Sequence, residues 1–589
     1  MKICNLYDNM ERIMKKDILI IPSFVISLSC LIISCNSGDS NDNSSISKDP
    51  AIIASGEALF KKNCGGCHNF RQDEIGPQLG GITTEISADW IHNFIIDSRK
   101  MIESQDERAV QLFKKYKRAV MPSFAGLKDD EVNAIIAFLH THKSPGQQVT
   151  KGKGGELPNP IPDTIALSNL VVNLEPVTQI PASSDSAKLP LTRITKLTFQ
   201  PNTGNLFIND LRGKLYVLQQ NRPMVYMDMA KLKPKFFHES GLGTGFGSFA
   251  FHPGFAKNGL FYTTHAEAPG SGKADFGFDD SIKVSLQWVL IEWKTNDPGA
   301  TVFSGKSREL FRVNMMSDIH GVQEITFNPL SKPGDEDYGM LYIGVGDGGT
   351  VGLGYPFLTH SIEKIWGTIL RIDPMGSNST NGQYGIPKNN PFVQNKNSKT
   401  LREVYAYGFR NPHRLTWTKG GAMLACNIGQ GNIESVNLIM PGHDYGWPLR
   451  EGTFLSSDVN ENMGKVYPLP ANDSIYKITY PVAQFDHDEG LAISGGFEYS
   501  GEAIPQLKGK FLFGDIPSGR LFYIDVADIK QGKQAPIKEW KSLISGTPRT
   551  VRDVCGSDRV DMHLGRDSQG ELYILTKADG KVYKLVSAR

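Results

Sequence analysis

The sequence predicts an all-α domain followed by an all-β propeller of six blades, and three observations carry that prediction. Helical periodicity is concentrated before about residue 145, whereas a strand–turn–strand pattern recurs from residue 163 to residue 589. Glycine is abundant, 60 in 589 residues, which suits many short strands joined by tight turns. Between the two regimes, residues 144–162 are dense in Gly, Pro, Lys and Gln and read as a linker. The chain exceeds one ordinary domain of roughly 150 residues. Its 40% hydrophobic and 21% charged residues are those of a globular protein. A net charge of +1, with no basic run, argues against a nucleic-acid partner.

The first element is an address. Residues 18–33 form an apolar run behind Lys15 and Lys16, and the run ends in Ile32-Ile33-Ser34-Cys35, the form of a bacterial lipobox. Such a run is short for a membrane-spanning helix, and its charged–apolar–small order is that of an export signal. Residues 1–35 are therefore expected to be a lipoprotein signal segment, with Met14 as a candidate true start. Cys35 is the expected lipidation site, and several acyl chains there would make a stable membrane anchor. Residues 36–50, rich in Ser, Asn, Asp and Gly, follow as a tether. The alternative is an uncleaved N-terminal anchor. Either way the globular part is expected in the cell envelope outside the cytoplasm, in the periplasm or on the outer-membrane surface.

Residues 51–143 carry the first chemistry. Cys64-Gly65-Gly66-Cys67-His68 is a C-x-x-C-H signature at the end of a helical stretch from Ala54 to Lys62. The thiols of Cys64 and Cys67 suit thioether attachment of one covalent haem c, and His68 lies where its imidazole reaches the iron. The sixth ligand is expected on a loop before the last helix. Met121 fits, in Val120-Met121-Pro122-Ser123-Phe124 ahead of a helix over 128–142, and Pro122 stiffens that loop. Met101, beside Arg99 and Lys100, is the competitor. With these residues and Gly76-Pro77, the segment resembles the class I cytochrome c family over its whole length. The resemblance implies a loop at Gly76-Pro77 that supports the proximal histidine. Histidine–methionine ligation leaves iron no open position and raises its potential, which points to electron transfer. Two further cysteines, Cys426 and Cys555, lie in the strand-rich part and could pair in an oxidising compartment.

From residue 163 to 589 the repeats are explicit. They run from Leu197–Pro201 to Phe207–Ile208, from Phe249–Pro253 to Phe261–Tyr262, and from Ile325–Pro329 to Leu341–Ile343. Three more run from Leu415–Trp417 to Met423–Leu424, from Ile493 to Phe511–Phe513, and from Met562 to Leu572–Ile574. A four-stranded blade needs about 40 residues, so six blades fit; an array of β-sandwiches is the alternative. Blade-connecting loops converge on one face, where a ligand site is expected.

Four segments of such loops stand out: Asp318–Phe327 with His320, Leu341–Gly349 with Asp347, Tyr407–Pro412 continuing to Gly429–Asn432 and Tyr445–Pro448, and Ser494–Gly496 with Gly514-Asp515 and Ser518–Arg520. In their order and spacing they resemble the glucose/sorbosone dehydrogenase family, six-bladed propellers that oxidise aldoses or related polyols with pyrroloquinoline quinone (PQQ). The resemblance runs from about Thr192 to Lys584. It implies that His320 is the base for the substrate hydroxyl, oriented by Asp347. It also implies that Arg410, Asn411 and Arg559 touch the cofactor, whose three carboxylates suit an arginine fork. Gly429 and Gln430 fall where backbone carbonyls hold Ca²⁺, a hard ion that takes oxygen ligands.

The chain departs from that pattern at several positions. Glu239 stands near a cofactor-binding glutamine, Ile428 at a second glutamine, Asp561 at an arginine and Pro517 at a lysine. A trianionic quinone would then meet fewer cations, with Glu239 and Asp561 repelling it unless Arg559 or Arg520 intervenes. Plainer roles are also open: Asp347 as a turn cap, Arg410 paired to a buried carboxylate, Tyr445–Pro448 as an aromatic plug, and His252 and His563 as packing residues. The expected function is an exported quinoprotein dehydrogenase that passes electrons from PQQ to the fused haem and on to a downstream acceptor. Fusion supplies the acceptor at high effective concentration. The alternative is a non-catalytic propeller that binds carbohydrate or protein beside an electron-transfer cytochrome.

Overall fold

The computed structural model describes residues 45–589 except 66–67, 69, 71–75, 117–119, 144–154, 185–187, 202, 240–242 and 457–463. Cys35 and Cys67 lie outside the described residues. No described helix is long and apolar enough to cross a membrane.

The N-terminal region is helical. Helix Pro50–Asn63 starts at Asp49, whose carboxylate accepts the Ala51 N–H at 2.8 Å, with Pro50 at the first helical position where its missing N–H costs nothing. It ends at Cys64, whose N–H donates to the Phe60 carbonyl at 2.8 Å, so the haem motif begins where the helix stops. Helix Ala88–Glu103 is capped by Ser87, and helix Glu107–Lys115 by Asp106, whose carboxylate accepts the Ala109 N–H at 2.8 Å. Helix Asp129–His140 opens with three acidic residues against its positive end, and Glu131 accepts the Lys128 N–H at 2.8 Å. The first and last helices pack together around Phe60, Val132, Ile135 and Leu139. Burying each such side chain contributes about 1.5–3 kcal/mol.

Beyond the linker the chain is mostly β. Each strand pair expected from the repeats is present as an antiparallel pair, from Ile194–Phe199 with Leu206–Asp210 to Met562–Arg566 with Leu572–Thr576. Four sheets have four strands each. A ninefold strand set closes the domain: Ala166–Gln179 pairs antiparallel with Lys581–Ala588 and parallel with Lys538–Ile544. The two ends of the β region are thereby tied into one sheet. Packing between the leading strands runs in a cycle, from Ile194–Phe199 through Phe246–Phe251, Glu324–Phe327, Pro412–Trp417, Ile493–Glu498 and Met562–Arg566 back to the first.

Apolar clusters fill the spaces between sheets, whereas the leading strands put charge near the axis. Lys196 Nζ donates to Glu324 Oε1 at 2.7 Å, and Arg414 pairs with the other oxygen of Glu324 while donating to the Thr195 carbonyl at 2.8 Å. A buried carboxylate with two cationic donors is paired, as burial requires. Cys426 and Cys555 are both buried and both free. Burial pushes the Cys426 thiol up to about 12, so it is an inert packing group.

Candidate functional site

The helical domain contains an apolar crevice of about 260 Å³ whose wall includes Cys64, His68, Met121, Trp90, Ile95 and Phe124. His68 and Met121 thus face one space, and Met101 is not among its lining residues. His68 Nδ1 is 2.8 Å from the Pro77 carbonyl, which fixes the ring's orientation in the crevice. Gly76 permits this approach, because a Cβ there would lie 2.3 Å from His68 Cε1. The Met121 loop is pinned by buried Ser98, whose hydroxyl donates to the Met121 carbonyl at 2.8 Å. These ligands and walls fit a haem.

In the β domain, His320 and Asp347 meet. His320 Nδ1 is 2.8 Å from Asp347 Oδ1, at the end of a loop where His320 adopts φ 49°. Backbone of this kind is costly for a residue with a Cβ and persists where surrounding structure enforces it. Gly346 allows the loops to touch: a Cβ there would lie 2.3 Å from the His320 carbonyl oxygen. Asp347 is 1% exposed and serves two roles at once. It caps its own turn through the Gly349 N–H at 2.9 Å, and its second oxygen accepts the Trp447 indole N–H at 3.0 Å. Burial alone would raise the Asp347 carboxyl, but His320, Arg410 and the Gly349 N–H outweigh it and hold it below its ordinary value. With Nδ1 engaged by the Asp347 carboxylate, the His320 ring is held in one orientation on the cavity wall. Asp347→Asn is therefore expected to lower turnover by roughly 10- to 100-fold, the usual effect of losing the partner that orients a histidine. Unchanged kcat in that variant would leave Asp347 as a turn cap.

His320 lines a cavity of about 120 Å³ together with Arg410, Asn411, Gly429, Gln430 and Arg559. Residues spread over 240 positions of sequence are thus brought to one space, with Asp347 behind it. Arg410 is buried and donates from Nε to Gln430 Oε1 at 2.7 Å and from Nη1 to the Gly429 carbonyl at 2.5 Å. The plainer role for Arg410, a structural ion pair with a buried carboxylate, is absent among the described residues. The loop carrying Gly429 and Gln430 is held by Glu451, whose Oε1 accepts the N–H groups of Gln430, Gly431, Asn432 and Ile433 at 2.8–3.0 Å. Oxygen donors suit Ca²⁺, although the Gly429 carbonyl already faces a cation, the Arg410 guanidinium.

Charge in the cavity differs from what the departures suggested. Glu239 is exposed and is not among the lining residues. Asp561 lines it, at φ 50°, with Arg559 Nε on its Oδ1 at 2.8 Å. Arg520 is engaged elsewhere, by Glu539 at 2.7 Å and Glu489 at 2.7 Å. Three residues that the sequence did not single out as ligands also line the cavity: His413, His563 and Lys577. Among the described residues both ring nitrogens of His413 and of His563 lack a partner, and the ring centroids stand 5.4 Å apart. Three cations, Arg410, Arg559 and Lys577, against Asp561 and the His320–Asp347 pair fit a polyanionic cofactor. Leu491 and Arg559 are shared with a second cavity of about 440 Å³, whose walls include His68, Met121 and Pro122. Leu491 and Arg559 thus stand between the cavity that His320 lines and the one that the Met121 loop lines.

Comparisons with known proteins agree with this division. Residues 191–584 match the Glucose / Sorbosone dehydrogenase family, and residues 53–143 match Cytochrome c. The HIPL1 protein of Arabidopsis thaliana is 26% identical over 382 residues, covering 57% of this chain and 52% of that protein. The Hedgehog-interacting protein of Homo sapiens is 24% identical over 398 residues, 65% of this chain and 49% of its own. Quinoprotein glucose dehydrogenase B of Acinetobacter calcoaceticus is 24% identical over 339 residues, 54% of this chain and 64% of its own. The chain spans about half the length of the first two and less than two thirds of the third.

Proposed function

The chain belongs to the glucose/sorbosone dehydrogenase family and carries a cytochrome c domain ahead of that part, and from this premise we propose that it is a quinoprotein dehydrogenase that oxidises a sugar or other alcohol and delivers the electrons to its own haem c. The observation that carries the reading is the buried His320–Asp347 pair at 2.8 Å on the wall of a cavity lined by Arg410, Arg559 and Lys577. The β domain is read as a six-bladed propeller, on the closed cycle of its leading strands.

His320 Nε2 accepts the substrate's hydroxyl proton, and Asp347 stabilises the resulting imidazolium. Bound PQQ supplies the acceptor for the hydride that leaves the same carbon, so the alcohol loses two electrons and two protons in all. Arg410, Asn411 and Arg559 would hold the cofactor through its carboxylates and polar edge, and the Gly429 and Gln430 carbonyls would be the oxygen donors for Ca²⁺. His68 and Met121 would hold the haem iron between them, and a haem so held would supply single-electron exchange. The space shared through Leu491 and Arg559 supports a transfer within one molecule.

The full chain supplied with PQQ and Ca²⁺ should oxidise at least one member of a panel of aldoses and polyols, scored with a reducible dye. A second reading, a non-catalytic propeller that binds carbohydrate or protein, is favoured by the likeness to Hedgehog-interacting protein. Absence of turnover across the panel would select it.

The address belongs to the proposal as well. The lipobox at Cys35 supports lipid anchoring in the cell envelope, with a downstream electron acceptor in reach. Cys35→Ala is expected to release the protein from the membrane fraction or leave its leader uncleaved. Persistent acyl labelling of that variant would remove the lipobox reading.

A further inference from the structure

One wall of the propeller cavity holds a group of donors that no described residue satisfies. Lys577, on strand Leu572–Thr576's C-terminal edge, is 8% exposed, and its ammonium makes no hydrogen bond or ion pair among the described residues. His413, on strand Pro412–Trp417, is 6% exposed, and His563, on strand Met562–Arg566, is 1% exposed. Among the described residues neither imidazole has a partner on either nitrogen. A buried polar group without a partner is costly, so two such imidazoles beside the Lys577 ammonium in a cavity wall mark a place where a ligand completes the structure.

The chemistry of that ligand follows from the donors. Burial, reinforced by the neighbouring Arg414 and Lys577, holds both histidines well below their ordinary value, so each is neutral and offers one N–H. Lys577 adds an ammonium. One cation with two neutral N–H donors is matched by a carboxylate, which takes several hydrogen bonds and cancels the charge. The two cofactor cations that the family pattern leads one to expect at positions 517 and 561 are replaced by Pro517 and Asp561. Pro517 lines the outer cavity, and Asp561 is paired with Arg559, so neither supplies a free cation.

We propose that Lys577, His413 and His563 form a carboxylate receptor on one wall of the site and that it takes one carboxylate of PQQ in place of those missing cations. The proposal rests on the quinoprotein reading for the source of the carboxylate, and on this chain's own residues for the receptor. The groups facing Lys577 are Asp561 and Arg559 from the preceding loop, His563 from its neighbouring strand, His413 and Arg414 from the strand across the axis, and Arg193 with Asp210 from the first sheet. Burial pushes Lys577 down to about 8, with Asp561 opposing and Arg193 and Arg559 adding to the fall. Its positive charge is present below that pH and lost above it. A ligand carboxylate is ionised throughout, so affinity should hold to about pH 8 and decline beyond.

The test is the dissociation constant of PQQ with the full haem-bearing chain, with and without Ca²⁺, by calorimetry from pH 7 to pH 10. K577M should weaken PQQ binding by about 10- to 100-fold, the loss of one charge-assisted contact, and abolish the alkaline decline. K577R should restore most of the affinity with no decline below pH 10, and the haem spectrum should be unchanged in both. Equal affinity in wild type and K577M would overturn the receptor while leaving the quinoprotein reading intact. If wild type binds no PQQ, the quinoprotein reading fails, and glucuronate and gluconate against glucose decide the receptor. Binding of the acids that K577M loses would keep it with a substrate carboxylate as its ligand, and no binding of either acid would overturn it.

Discussion

Replacing His320 by asparagine is expected to lower turnover by roughly 100- to 10,000-fold, the usual contribution of a positioned base. Asparagine is the informative substitute because His320 sits at φ 49°, a region that asparagine tolerates better than most residues with a Cβ. Its amide nitrogen can stand where Nδ1 stands and donate to buried Asp347, which would otherwise keep only the Gly349 and Trp447 N–H donors. The fold, the haem spectrum and PQQ binding should therefore survive while the proton acceptor is gone. The pH profile gives a second signature. Asp347 is held below its ordinary value, so it stays ionised as pH falls, and protonation of the proposed base should be what shuts turnover in the wild type. That acidic limb should be missing from the residual activity of the variant. Near-normal kcat with the limb retained would show that another group takes the proton.

Met121→Ala should have the second large effect, on the other side of the electron transfer. The side chain removed is the proposed sixth ligand, whereas the loop should stay pinned by Ser98 to the carbonyl of residue 121 and the haem should stay attached. The methionine–iron charge-transfer band should disappear. The potential should fall by a sizeable part of the roughly 0.8 V over which axial ligands set haem potentials. Each drop of roughly 59 mV shifts the equilibrium for one electron tenfold against the haem. Substrate oxidation measured with an added dye should continue, while reduction of the haem by substrate should nearly stop. An unchanged spectrum and potential would move the ligand elsewhere, with Met101 the next residue to test.

Much of this was legible because the signals are local or repeated. Cys64–His68, Gly76-Pro77 and Met121 each lie in a short motif, and the structure brings the histidine, its supporting carbonyl and the methionine to one crevice. The strand pairs were legible because an apolar strand, a turn and a second apolar strand recur in order. His320 and Asp347 were reached through family resemblance; a lone histidine in a polar loop carries little signal of its own. Trp447 read as a plug between blades because nothing near it in sequence shows that its indole reaches Asp347, 100 positions away. Glu451 was silent for the same reason, although it holds four consecutive N–H groups of the 430–433 loop. His563 read as packing, and its place on the cavity wall arises only when strands distant in the chain converge with Lys577 and His413. Periodicity reports which face of a strand is buried; it does not report which buried polar groups are left without partners.

The central claim is that substrate electrons pass from the propeller site to the haem of the same molecule. Its most direct test is anaerobic stopped-flow of the oxidised full chain loaded with PQQ and Ca²⁺, mixed with an aldose that turns over in the dye assay. The account predicts reduction of the haem α-band by substrate alone, at a first-order rate that does not change when the protein is diluted. Haem that stays oxidised while the same mixture reduces an added dye, or a rate that falls in proportion to protein concentration, would contradict it.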